Sequence, residues 1–379
     1  MTEAHRLFFY FLRKGLWGSS AEPDTSISDS VWEELFLLSC RQAVSGIVAD
    51  GIAATSLRPP SGLWHKWVFQ LLHIEMVNDE MSRCGDSLLR LLSAGGIKAS
   101  VFKGTSVARW YPKPSHRSYG DIDIIIHSGR ERLAEVLRRY GIPFFYAGND
   151  VIIEQPDNII GHQNGSGKRN SSYGQYRIEL HPTYETLYNP IMNARLQRIV
   201  TGSSAWWNKN IGRCGKPHDT PEFYLACIIL HLRRHALSYG IGLKQVCDVA
   251  VMLRNAGIDA ERLKMILKHL GAWRFGRALL RFVEAYLYGE GYVGPQRRAG
   301  KDMKMLFGIF MRDGYELKTE RENIGNNTRL SSLRVVKNGC FWVRRSLRLF
   351  SLMQDEAFFF VLDKALDRIK ALSRIITGG

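Results

Sequence analysis

No apolar run in this chain of 379 residues is long enough to cross a bilayer. The first residues, Met1 to Gly18, scatter Glu3, Arg6, Arg13 and Lys14 among their aromatics, which is not the pattern of a secretory leader. Cysteine is sparse. Cys40, Cys84, Cys214, Cys227, Cys247 and Cys340 stand far apart, with no Cys-x-x-Cys pair and no histidines at zinc spacing, so neither a disulfide framework nor a structural zinc is indicated. The expectation is a cytoplasmic protein with reduced, mostly buried thiols. Acid is also short, with 36 Asp+Glu against 52 Lys+Arg, a formal charge of +16. Such an excess attracts nucleotides, nucleic acid or an anionic surface without selecting among them. Much of it lies in the last third, around Arg297, Arg298, Lys301, Lys304, Arg344, Arg345, Arg348, Arg368, Lys370 and Arg374. Acids interleave there, so the segment reads as solvated helix faces and not as a nucleic-acid groove.

What is present is an ordinary globular balance, 45% apolar and 23% charged, over a length that admits two or three domains. Apolar residues recur at helical spacing from 30 to 93, in two groups divided by Pro59, Pro60 and Gly62. At Gly95-Gly96 the texture changes to short β-rich runs over 97–102 and 121–126, a helix over 131–140, and further strands over 143–146, 151–154 and 176–180. Residues 158–174, rich in Gly, Asn and Ser, read as a flexible loop, and Gly165-Ser166-Gly167-Lys168 within it lacks Walker spacing. Helical periodicity returns over 221–234, 243–254, 259–270 and 273–288. The fold class expected is α+β, a small mixed β-sheet core at 95–185 between helical subdomains at 1–94 and 186–290. Beyond a boundary at 289–300, a basic helical tail covers 291–379.

Chemistry concentrates in the sheet region. In Gly120-Asp121-Ile122-Asp123-Ile124-Ile125-Ile126, strand alternation sends Asp121 and Asp123 to one face and Ile122, Ile124 and Ile126 to the other, into a core. Two carboxylates held together repel unless a cation lies between them, and a hard divalent ion such as Mg²⁺ suits an all-oxygen site. In Arg177-Ile178-Glu179-Leu180-His181 the same alternation aligns Arg177, Glu179 and His181. If the two strands pair, Asp121, Asp123 and Glu179 converge, and three acids bridging two metal ions suit nucleotidyl transfer. His181 either orients a ligand or ends the strand before Pro182. His231 and His235 share a helix face but lack a third zinc ligand, so they read as a polar interface. Asp248, one turn after Lys244, reads as a helix ion pair.

A glycine turn, an Asp-x-Asp strand and a later acidic strand resemble the DNA polymerase β-like nucleotidyltransferase superfamily. More narrowly, Lys103-Gly104, Tyr111-Pro112, Arg117, Asp121-Ile122-Asp123 and Glu179-Leu180-His181 are similar, in that order, to the uncharacterised bacterial nucleotidyltransferase family. The likeness extends over roughly residues 30–290, through His231, His235, Lys244 and Asp248, and leaves the tail uncovered. It implies Mg²⁺ or Mn²⁺ on Asp121, Asp123 and Glu179, with an NTP as donor. Gly104 would let phosphate approach the backbone, Thr105 or Ser106 would add a donor, and Lys103 and Arg117 would neutralise charge. The superfamily usually has Gly-Ser or Gly-Gly at this turn, and this chain has Gly104-Thr105.

The acceptor is unspecified by sequence: a small molecule, RNA or a protein side chain would serve. Two other classes stay open at this level. One is an inactive nucleotide-binding or partner-binding, antitoxin-like relative; the other is a basic nucleic-acid-binding protein with purely structural acids.

Overall fold

The computed structural model describes residues 1–18, 22–23, 26–154, 159, 176–211, 217–238, 240–289, 300–313 and 332–376. The loop expected over 158–174, apart from Ile159, and most of the boundary at 289–300 lie outside the described residues. The chain is α+β and divides into two compact units. One comprises Met1–Tyr184, Leu243–Ala256 and Tyr286–Gly294; the other comprises Glu185–Gly242, Gly257–Ala285 and Pro295–Gly379.

The first unit opens with four helices: α1 (Glu3–Trp17), α2 (Asp29–Arg41), α3 (Ser45–Ala53) and α4 (Ser61–Ala94). The hydroxyl of Thr2 caps α1 by accepting from the His5 N–H, and Gly18 closes it in the left-handed conformation. α1 and α3 pack through glycines. A Cβ on Gly15 would strike the Ile47 carbonyl, and one on Gly51 the Phe11 carbonyl, so the two backbones approach where neither residue carries a side chain.

The sheet follows, built from β1 (Ala99–Phe102), β2 (Ile122–Ile126), β3 (Phe145–Ala147), β4 (Asp150–Ile153) and β5 (Ile178–His181) in the spatial order β1-β2-β5-β4-β3. β2 and β5 run parallel at the centre, and the other pairings are antiparallel. A parallel neighbour needs a crossover, which here includes α6 (Arg130–Arg139) and the β3–β4 hairpin. Ile122, Ile124 and Ile126 enter one core with Val151, Ile153, Ile178 and Leu180 against Leu88 and Leu92 of α4 and Leu133 and Leu137 of α6. The alternation read from the sequence thus directs the isoleucines inward and leaves the opposite face for polar groups. The strand expected over 176–180 spans Ile178–His181, which brings His181 into the ladder.

The second unit is helical, with Pro190–Val200, Pro221–Ser238, Ala260–His269, Trp273–Val283, Lys301–Gly308 and Ser332–Ile376 as its longer elements. Asp259 caps the third of these by accepting from the Glu261 and Arg262 N–H groups. Its buried polar centre is Arg233, which donates to Asp355 at 2.6 Å and lies 3.8 Å from Glu356. Glu356 accepts in turn from the Tyr188 and Asn189 backbone N–H groups at 2.6 and 3.3 Å.

Candidate active site

Register sets the polar face. Asp123 in β2 stands beside Glu179 in β5, and both pairings of a parallel ladder put side chains on the same face. His181, two residues beyond Glu179, shares that face. Donor atoms of Asp123, Glu179 and His181 all lie within 4.8 Å of one another, the one compact group of this kind among the described residues. Asp121 precedes β2 by one residue, is half-buried, and stays outside that tight group. Its charge still reaches Glu179: burial raises the Glu179 pKa above the ordinary carboxylate value, and the charges of Asp121 and Asp123 raise it further.

Own-chain cations serve the acids. His181 Nε2 donates to Asp123 Oδ1 at 2.7 Å and Nδ1 lies 2.9 Å from Asp150 Oδ1 at the start of β4. Burial alone would lower the His181 pKa, but the bonds to Asp123 and Asp150 outweigh it and set it at about 9. The ring is therefore an imidazolium that orients Asp123, with both nitrogens donating. Lys103 Nζ reaches the same Asp123 oxygen at 3.0 Å. Glu179 pairs with Arg177 at 2.7 Å, whose side chain is 57% exposed and thus readily exchanged for another partner.

The turn after β1 carries the rest. Lys103 adopts φ 54° and ψ −129°, a conformation that costs a non-glycine residue and persists where its surroundings hold it. The short helical turn α5 (Gly104–Val107) begins immediately after. Ser106 Oγ donates back to the Lys103 carbonyl at 3.0 Å, so this hydroxyl ties the turn to itself. Thr105 Oγ1 is buried and makes no hydrogen bond within the protein.

Arg117, expected to neutralise phosphate charge, is buried next to this turn and paired within the chain. Its Nε and NH2 donate to Asp248 Oδ1 and Oδ2 at 2.9 and 2.6 Å, and Tyr111 adds its hydroxyl at 2.7 Å. Asp248, for which helical spacing alone suggests Lys244, meets this arginine from 131 residues away. Burial works against the guanidinium charge, and the Asp248 carboxylate overrides it and holds the group above its ordinary pKa. In the second unit, His231 Nδ1 lies 2.8 Å from Glu185 and its ring 4.2 Å from that of His235, a polar network in which Glu185 also meets Arg234 at 3.0 Å.

The donor set suits a divalent cation. Two carboxylates sit in register with a third acid beside them, and the Glu179 pKa, raised first by burial and then by the Asp121 and Asp123 charges, reflects a site whose negative charge a cation would offset. Oxygen donors favour Mg²⁺ or Mn²⁺. Such an ion would compete with Lys103 for Asp123. Asp150 and the Arg117–Asp248 pairing were not apparent from the sequence, because only the folded β4–β5 and long-range contacts bring them in; Asp248 lies 131 residues from its partner.

The mixed sheet with paired acids beside a glycine turn is consistent with the resemblance read from the sequence, and sequence comparison agrees. A family described as uncharacterised nucleotidyltransferase matches residues 28–288, and the chain belongs to it. No curated protein and no solved structure matches the chain.

Proposed function

We propose that the protein transfers a nucleoside monophosphate from an NTP to an acceptor hydroxyl or phosphate and releases pyrophosphate. The observation that carries this reading is the parallel register of Asp123 with Glu179, completed by His181, in a chain of nucleotidyltransferase family. Asp121, Asp123 and Glu179 would hold two Mg²⁺ or Mn²⁺ ions, which would supply Lewis acidity at the attacking and leaving oxygens. His181 fixes the Asp123 carboxylate. The Lys103–Gly104–Thr105–Ser106 turn receives the triphosphate through backbone N–H groups and the unpartnered Thr105 hydroxyl, with Arg117 behind it. The acceptor oxygen forms its bond to Pα and gives up its proton to solvent, while the bond from Pα to the bridging oxygen breaks and pyrophosphate leaves. We place this chemistry in the cytoplasm, where thiols such as Cys40, Cys84, Cys227 and Cys247 stay reduced.

The test is incubation with each labelled NTP, Mg²⁺ or Mn²⁺ and a cell extract, beside the Asp123→Asn variant. Metal-dependent labelling by the wild type, lost in a variant that keeps its circular dichroism, is the expected outcome. Equal labelling by both would remove the assignment. The Lys103–Asp123 ion pair favours a second reading, a nucleotide-binding protein without turnover. Saturable NTP binding with no pyrophosphate release under every acceptor would select it.

A further inference from the structure

Under the Lys103–Gly104 turn lies a buried ion pair that the chemistry above does not use directly. Arg117 and Asp248 are 3% and 4% exposed and meet through two parallel hydrogen bonds. The third guanidinium nitrogen, NH1, donates to the Ser118 carbonyl at 3.2 Å and ends 2.6 Å from the place a Cβ on Gly104 would occupy. The guanidinium therefore fills the space that a side chain at position 104 would need. Asn78 of α4 holds the arginine's backbone: its Nδ2 donates to the Arg117 and Ser115 carbonyls at 2.9 and 2.7 Å, and its Oδ1 accepts from the Tyr119 N–H at 3.0 Å. Asp248 comes from the helix Leu243–Asn255, and the Tyr111 hydroxyl fixes one of its oxygens.

Burying two charges is costly even when they pair, so such a pair is weak evidence for a stabilising role and better evidence for a specifying one. What it specifies here is adjacent. Lys103 is held in an unfavourable backbone conformation at the head of this turn, and the Arg117 fork packs directly against the next residue.

We propose that Asp248 is a positioning residue for the NTP site. It touches no ligand; it clamps Arg117 beneath the turn, so that the backbone N–H groups and the Thr105 hydroxyl meet the polyphosphate already arranged. The proposal rests on the nucleotidyltransferase reading and adds to it the element that fixes donor binding.

The experiment uses the full chain and its Asp248→Asn and Asp248→Glu variants. The readouts are the dissociation constant of a non-hydrolysable ATP analogue with Mg²⁺, the dissociation constant of Mn²⁺ alone, and KM against kcat. Asp248→Asn is expected to weaken the analogue by about tenfold or more, the range set by removing a partner that orients a binding group. Mn²⁺ affinity should stay unchanged, and Asp248→Glu should recover part of the loss. Undiminished analogue binding by a folded Asp248→Asn variant, or a parallel fall in Mn²⁺ affinity, would overturn the proposal. Should that variant not fold, Tyr111→Phe removes a single hydrogen bond to Asp248 and should weaken the analogue in the same direction to a smaller degree; no change there would equally overturn it. A wild type that binds neither the analogue nor any NTP would instead sink the nucleotidyltransferase reading, and this inference with it.

Discussion

The ammonium of Lys103 lies 3.0 Å from a carboxylate oxygen of Asp123, in a site where the two side chains are 14% and 6% exposed. The lysine thus sits where the proposed divalent ion would bind, and its backbone has a positive φ of 54°.

Removing that charge should therefore have opposite effects on metal and on turnover. Lys103→Met is expected to tighten Mn²⁺ binding by about tenfold, because a like charge beside the site is gone, while NTP turnover falls. Electron paramagnetic resonance of free Mn²⁺ reads the first effect and pyrophosphate release the second. Lys103→Gly should share both effects and in addition gain about 1 kcal/mol of stability from relief of the backbone strain. Weaker metal binding in either variant would show that the lysine does not compete.

Glu356 is expected to be indispensable to the helical unit. It is 0% exposed, faces Arg233, and satisfies two backbone N–H groups at the start of the Pro190–Val200 segment. Burial raises its pKa, and the Arg233 charge and both backbone bonds pull it back. Glu356→Leu should cost about 3–5 kcal/mol, because Arg233 loses a counter-charge in a buried setting. Urea unfolding followed by tryptophan fluorescence measures this, and a cost below about 1 kcal/mol, the level of an exposed pair, would contradict it.

Two glycines separate close packing from helix propensity. Gly51→Ala forces a methyl group onto the Phe11 carbonyl and should destabilise by at least about 2 kcal/mol. Gly62→Ala, in the first turn of α4 with open space around it, should stabilise by about 0.5 kcal/mol. Thermal melts of the two variants should shift in opposite directions.

His116 supplies a pH dependence. The hydrogen bond to Asp50 at 2.7 Å raises its pKa above 6.5, burial opposes this, and the Asp50 charge and the bond to Glu75 at 3.0 Å add to the rise. The folded state therefore binds the proton more tightly than the unfolded chain. The stabilisation is complete below the ordinary value of 6.5 and fades as pH climbs through the raised one. The difference in melting temperature between wild type and His116→Gln should be large at about pH 5.5 and shrink by about pH 8.5. A difference that grows with pH would contradict this.

Local pattern carried much of the site. Alternation in Asp121–Ile126 and in Arg177–His181 is a short-range property, and it assigned the isoleucines to the core and Asp123, Glu179 and His181 to one face. The glycine turn that opens α5 was visible for the same reason. The sequence did not show what depends on pairing at a distance: the parallel register of β2 with β5, the contact of His181 with Asp150, and the fork between Arg117 and Asp248. Helical spacing pointed Asp248 toward Lys244 because i,i+4 neighbours are all that a single helix reveals. The ammonium of Lys103 on Asp123 was likewise hidden, since nothing in a lysine's neighbours along the chain tells which carboxylate it will meet.

The helix Leu243–Asn255 belongs to the same compact unit as the sheet, although Glu185–Gly242 intervenes in the chain. A fragment ending at residue 185 would contain every strand among the described residues and yet leave the Arg117 guanidinium without its anion. Any transplant of the sheet must therefore carry that distant helix with it, since a buried guanidinium stripped of its carboxylate is strongly destabilising.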